Sequence, residues 1–130
     1  MNVKLLRRVA KRILAEPKQF QMTKFFARKS TWVARDGKPP AEIPNCGTAA
    51  CIAGWTIVEA RGGTPRAHQH ASGWDAEVEL EINSDQFDAL CILENWPDRF
   101  KRGWRELSFE DRAKRAAARI RRFIATNGQE

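Results

Sequence analysis

Residues 45–55 read N-C-G-T-A-A-C-I-A-G-W, and how that stretch folds decides the architecture of the chain. Pro44 closes the loop before it, and Asn45 or Thr48 offers a side-chain oxygen of the kind that caps the first free amides of a helix. From 48 to 60 the sequence predicts a central helix whose opening turns carry Ala49, Ala50, Ala53 and Gly54, with Cys51 and Ile52 between them. A glycine inside a helix costs about 1 kcal/mol relative to alanine, so Gly54 needs a compensating reason. Close approach of another element is one. The other is a helix amino terminus laid against an anion, because Gly47 would let a ligand reach the unsatisfied amides. The two are compatible.

Upstream, Val3, Leu6, Ala10 and Ile13 make one face of a helix over 3–15, widened by Val9 and Leu14, with Lys4, Arg7, Arg8, Lys11 and Arg12 opposite. Pro17 stops it, because proline has no amide to continue the ladder. Phe20, Met22, Phe25 and Phe26 form an apolar cluster expected to pack under that helix. Residues 30–35 have strand character, and 36–40 (D-G-K-P-P) read as a loop.

Downstream, Arg61-Gly62-Gly63 is a helix stop, and 64–73 form a polar connection holding Arg66, His68 and His70. Residues 77–82 alternate Glu with Val, Leu and Ile, the period of a half-buried strand that would pair with the segment around Trp32. Glutamate favours helices over strands, so both readings stand. Ser84 is expected to cap a helix over 85–94 that buries Phe87, Leu90, Cys91 and either Ile92 or Leu93, broken by Pro97. Ser108 to its third neighbour Asp111 has capping-box spacing and opens a last helix burying Ala113, Ala116, Ala117, Ile120, Phe123 and Ile124, which ends at Asn127-Gly128. The expected fold is mainly α: a single helical domain over 1–130 around a central helix, with room for a short two-stranded β element.

The chain has 130 residues, enough for a core without metals or disulfides. Three cysteines, an odd number, no secretory core and no run near membrane-spanning length point to a cytoplasmic protein with reduced thiols and no membrane. Twenty-three basic against 16 acidic residues give a net charge of +7, which favours an anionic partner. That charge is segregated. No Lys or Arg lies between Arg66 and Arg99, while Asp75, Glu77, Glu79, Glu81, Asp85, Asp88, Glu94 and Asp98 do. In the last helix Arg112, Arg115, Arg119 and Arg122 recur at helical spacing as one stripe. The basic helices could match the acidic middle within a chain or across a dimer, lie solvated, or grip phosphates. Nucleic acid fits less well, since no nucleic-acid-binding signature is legible and the acidic middle would repel a long polyanion.

A small anionic ligand needs only a few cations, some free amides and a stacking ring. Asn45, Gly47, Thr48, Arg61, Arg66, His68 and His70 are the candidate contacts, with Trp55 or Trp74 for stacking. Core packing is the commoner fate of Trp55, Trp96 and Trp104. Zinc is disfavoured, because Cys46 and Cys51 are five apart and neither C-x-x-C nor H-x-x-x-H is present. Cys46 before a helix amino terminus could be a nucleophile, with His68 or His70 as its base, whereas Cys51 and Cys91 read as buried thiols. Glu94 and Asp98 are a chance carboxylate pair. No metal or cofactor is expected.

The pattern C-G-T-x-x-C-I-A-G-W, followed by Cys91-Ile92-Leu93-Glu94-Asn95-Trp96-Pro97, resembles a family of small uncharacterised proteins of bacteria and their phages. Pro17, Phe20 and Met22 after an amino-terminal helix also fit it. The resemblance implies the organisation and a prokaryotic or phage origin, hence a bacterial host cytoplasm, and it brings no established activity to carry over. The leading functional expectation is a non-enzymatic homo-oligomer that binds a nucleotide-like anion, as a phage protein sequestering a nucleotide immune signal would. The alternatives are a protein-interaction module or inhibitor of a host nucleic-acid-associated enzyme, and a thiol-dependent hydrolase.

Overall fold

In the computed structural model, which describes residues 1–22, 26–28, 48–68 and 70–130, the first amphipathic stretch forms α1, Val3–Ala15. Of residues 26–28, 48, 49 and 66 only the main chain is described. Asn2 caps α1 by accepting from the Leu5 amide at 3.0 Å, and its own amide donates to the Leu80 carbonyl at 2.7 Å. One residue thus starts the helix with its side chain and ties it to a distant element with its main-chain N–H. Leu6, Val9, Ala10 and Ile13 of the expected face are buried, joined by Leu5, while Val3 is half-buried and Leu14 is exposed.

The central stretch departs from expectation at its beginning. Thr48–Ala50 is a strand, β2, paired antiparallel with β1, Phe26–Arg28, in the register Phe26 to Ala50 and Arg28 to Thr48. The Ala50 carbonyl also accepts from the Gln21 amide at 3.0 Å. Non-local pairing has overridden the helical preference of two alanines. Helix α2 therefore runs Ile52–Arg61, with Cys51 in an extended conformation at its cap. Every residue from 52 to 58 is buried, so α2 is covered all round, as a helix through the middle of a core must be. Thr56 satisfies its buried hydroxyl on the Ile52 carbonyl at 2.9 Å.

The alternating segment is a helix, α3, Gly73–Leu80. Ala76 and Leu80, one helical turn apart, are buried, while Val78 is 55% exposed. A strand would have buried Val78. The two-stranded element thus exists, but between β1 and β2. The segment around Trp32 lies outside the described residues, as do Phe25 and 36–40. Helix α4, Ser84–Cys91, is capped by Asn83 rather than Ser84: Asn83 accepts from the Gln86 amide at 2.9 Å and Gln86 answers at 3.2 Å. It stops three residues short of 94, leaving Ile92 exposed.

The chain then passes through Leu93–Asn95 in a 3₁₀ turn, the short helix α5, Asp98–Lys101, and a second turn at Trp104–Glu106. It ends in α6, Phe109–Ala125, capped by Ser108 on the Asp111 amide at 3.1 Å as the sequence predicts. Six α-helices among the described residues make the fold mainly α. Helices α1 and α6 pack on each other and α1 on α2, around one continuous core. Trp55, Trp96 and Trp104 are in that core; Trp96 donates to the Leu90 carbonyl at 2.8 Å and meets Trp104 edge-on at 5.4 Å.

Candidate functional site

The opening turn of α2 is enclosed. Cys51, Ile52, Ala53 and Gly54 are all buried. Burial pushes the Cys51 thiol above its ordinary range, partly offset by the facing amides of Gly54 and Ala53. Burial raises the Cys91 thiol further, so neither described cysteine is an activated nucleophile. Trp55, four residues into that region, donates its indole N–H to the Gln19 carbonyl at 3.1 Å and carries the Arg12 guanidinium 5.0 Å over its ring. Its faces are taken. Asn45, Cys46 and Gly47 lie outside the described residues, and Thr48 belongs to β2.

The remaining nominated residues gather at the opposite end of α2. Arg61 in its last turn donates to Glu79 at 3.0 Å and to Asp75 at 3.2 Å, and those bonds raise its pKa. Asp75 in turn is held below the usual carboxylate range, first by the Ser72 amide at 2.8 Å and then by Arg61. A ring nitrogen of His68 is 2.6 Å from the Gly62 carbonyl, and His70 is exposed. Trp74 is 70% exposed, and Arg66 lies in the 3₁₀ turn Pro65–His68. Arg61, His68 and Trp74 are thus neighbours along this edge. Among the described side chains, however, one guanidinium meets two carboxylates beside the carbonyl end of a helix, an arrangement that suits a cation better than an anion. Among the described residues no group of His, Cys, Asp or Glu has metal-binding geometry. Near Glu94 and Asp98, Lys101 donates to the Glu94 main-chain carbonyl at 2.7 Å and approaches the Asp98 carboxylate at 3.8 Å.

The four-arginine stripe of α6 is engaged in structure. Arg112 donates to the carbonyls of Trp104 at 2.9 Å and Arg105 at 2.8 Å, and Arg115 to that of Arg102. Arg119 is 1% exposed and donates to the Ala89 carbonyl at 2.8 Å. Arg122 holds Glu130 at 2.8 Å. The physical reason is that the 93–107 connection, built of single turns, leaves carbonyls without ladder partners, and the five-donor guanidinium supplies them. Acidic residues 75–98 are not what this stripe meets.

A different set of cations is free. Between α1 and α6 opens a cleft of about 330 Å³ with Ala10, Leu14, Ile120 and Ile124 as its floor and Arg7, Lys11 and Arg121 around it. These three are exposed, and none has an ion-pair or hydrogen-bond partner among the described residues. Arg8 beside them is occupied by the Glu59 carbonyl at 3.0 Å. A second cleft of about 440 Å³ mixes Lys101 and Arg105 with Glu94 and Glu106 over Trp104 and carries no net sign. Neither cleft includes the opening turn of α2. Sequence reading gave each helix a basic face but not that Lys11 and Arg121 would border one cleft, because that depends on how α1 and α6 cross. No protein-family model matches this chain, and neither curated proteins nor solved structures compared with it show a significant likeness.

Proposed function

We propose that this chain is a non-catalytic binding module that receives an acidic, apolar-faced segment of another protein on the surface shared by α1 and α6. One observation carries the reading: an apolar floor edged by three cations that have no partner among the described residues, while the four arginines of the α6 stripe all end on carbonyls or a carboxylate. The floor would bury the partner's Leu- or Ile-like side chains, and the cations would set orientation and speed encounter. This is the helix-in-groove mode of recognition. An inhibitor of an enzyme that handles nucleic acid is one form such a module takes, since acidic segments that mimic phosphate backbones and surfaces that bind them share this chemistry.

The test is fluorescence anisotropy with a labelled synthetic helix bearing Leu on one side and Glu on the other. Binding that weakens as salt rises from about 50 to 300 mM, and that a Glu-rich peptide without the Leu face does not reproduce, is the expected result. Equal binding of both peptides, or none, removes the proposal.

A nucleotide-like small anion is the second reading, and the cleft volume favours it, being at the lower end of small-molecule sites at about 330 Å³. The resemblance to phage-associated proteins gives this reading its context, sequestration of a nucleotide signal by an oligomer. Calorimetry with ADP-ribose and with a cyclic dinucleotide decides between the two: heat from either supports the nucleotide reading, and its absence leaves the peptide reading alone.

A further inference from the structure

Four large apolar side chains stand exposed among the described residues: Leu14, Trp74, Val78 and Ile92. Leu14 belongs to the cleft between α1 and α6, and Trp74 and Val78 sit one helical turn apart on α3. Trp74 is 70% exposed and Val78 55%, while Ala76 and Leu80 on the opposite side of the helix are fully buried. Scattered apolar residues on a surface are ordinary, but a tryptophan and a valine along one face make a patch. The acidic residues of α3 divide around it. Asp75 and Glu79 lie on one flank, where Arg61 donates to them at 3.2 and 3.0 Å. Glu77 lies on the other flank, and Glu81 follows at the end of the helix. Glu77 accepts from the Ser84 hydroxyl at 3.2 Å, and neither it nor the exposed Glu81 has a cationic partner among the described residues.

This helix carries the complement of the cleft: an apolar face with free carboxylates, against an apolar floor edged by Arg7, Lys11 and Arg121. It cannot bring that face to the cleft of its own chain. Ala76 and Leu80 are sunk in the core, Arg61 at the end of α2 holds Asp75 and Glu79, and the Leu80 carbonyl accepts from the Asn2 amide at 2.7 Å. No residue of α3 lines the cleft. A face fixed in this way loses little freedom on binding, and it meets such a cleft only in another molecule.

We propose that the cleft between α1 and α6 receives α3 of a second copy of this chain, with Trp74 and Val78 on its floor and Glu77 and Glu81 toward its cations. The inference rests on the peptide-binding reading and names the partner. Trp74 is the anchor, as large rings are at protein contacts. Because the two surfaces differ, reciprocal exchange closes a dimer, whereas a one-way contact builds a row of copies. The net charge of +7 repels a second copy overall, so association is weak and depends on the local pairing.

The experiment is sedimentation velocity in about 0.15 M salt, at up to roughly 500 µM chain. It compares the unaltered chain, the face variant Trp74→Ser with Val78→Ser, the cleft variant Lys11→Glu with Arg121→Glu, and the two variants mixed. The unaltered chain is expected to associate, and each variant alone to do so about tenfold more weakly or less. The mixture regains association, since one variant keeps the face and the other keeps the cleft. A monomeric unaltered chain, a variant that associates like the parent, or a mixture no more associated than its parts overturns the proposal. Titration with the synthetic Leu-and-Glu helix keeps the two readings apart. If the face variant binds that helix while the unaltered chain stays monomeric, the cleft reading stands and the second copy is ruled out. If nothing binds the helix, the cleft reading falls too. Should a variant fail to fold, the indole N–H resonance of Trp74 in the unaltered chain serves instead. It moves on dilution if the proposal is right and stays fixed if it is wrong.

Discussion

Two sets of cations, alike in residue type and carried in part by the same helix, have opposite fates. Arg112, Arg115 and Arg119 turn inward over the 93–107 connection and end on its carbonyls and on those of Ala89 and Glu130. Arg7, Lys11 and Arg121 are exposed beside an apolar cleft and have no partner among the described residues. The difference teaches that a net charge of +7 is not a measure of what is available to a partner. Much of it is structural material, a substitute for the ladder hydrogen bonds that an irregular segment lacks. Of the cations left without a partner among the described residues, Arg7, Lys11 and Arg121 border an apolar cleft that holds no carboxylate, and that is where binding is expected.

The contrast breaks first, and most visibly, at Arg119. Arg119→Ala removes a side chain stacked 5.6 Å from the Phe123 ring centre and 6.0 Å from Phe100 and frees the Ala89 carbonyl. Urea melts should show a loss of roughly 2–4 kcal/mol, and a loss under about 0.5 kcal/mol would mean the inward set is ornamental. Arg112→Ala, half-buried with two carbonyl partners, should cost roughly 1–2 kcal/mol by the same measurement. Arg7→Gln, Lys11→Gln and Arg121→Gln should each shift stability by no more than about 0.5 kcal/mol, and larger losses would mean that these residues also hold the fold.

The smallest effect concerns Arg61, a cation neutralised by carboxylates. Because Asp75 has a depressed carboxyl pKa in the folded chain, its contribution to stability is complete above about pH 4 and fades as pH falls through the folded value. Asp75→Asn therefore lacks that acid limb. Melting temperatures of the two proteins should converge as pH falls below about 4, and a constant gap would contradict the pairing.

How much of this the sequence disclosed depends on whether the deciding interaction is local. The spans of α1 and α6, the stop at Asn127-Gly128 and the Ser108 cap are set by residues three or four apart, and all were legible. The capping oxygens of Asn45 or Thr48 suggest a helix that starts by residue 48, yet residues 48–50 pair with Phe26–Arg28 and Gln21, twenty or more residues away. Residues 77–82 alternate in sequence, but Ala76 and Leu80 face the core at helical spacing, and Val78 is the residue left outside. Arg119 has no sequence signal separating it from Arg115 or Arg122; its burial follows from Phe100 crossing above it. Of the nominated site, Arg61, His68 and Trp74 do gather at one edge, while Trp55 is a core residue. The cleft beside Arg7, Lys11 and Arg121 was out of reach, because no pattern along the chain states how two helices cross.

The account rests most heavily on the division between occupied and free cations, and one paired titration addresses it. The combined variant Arg7→Gln, Lys11→Gln, Arg121→Gln is compared with Arg112→Gln for affinity toward the Leu-and-Glu helix, each checked by thermal melting. The account predicts that the first loses about tenfold or more in affinity while melting like the parent, and that the second melts earlier yet binds like the parent. Unaltered affinity in the triple variant, with affinity lost instead through Arg112, would contradict it.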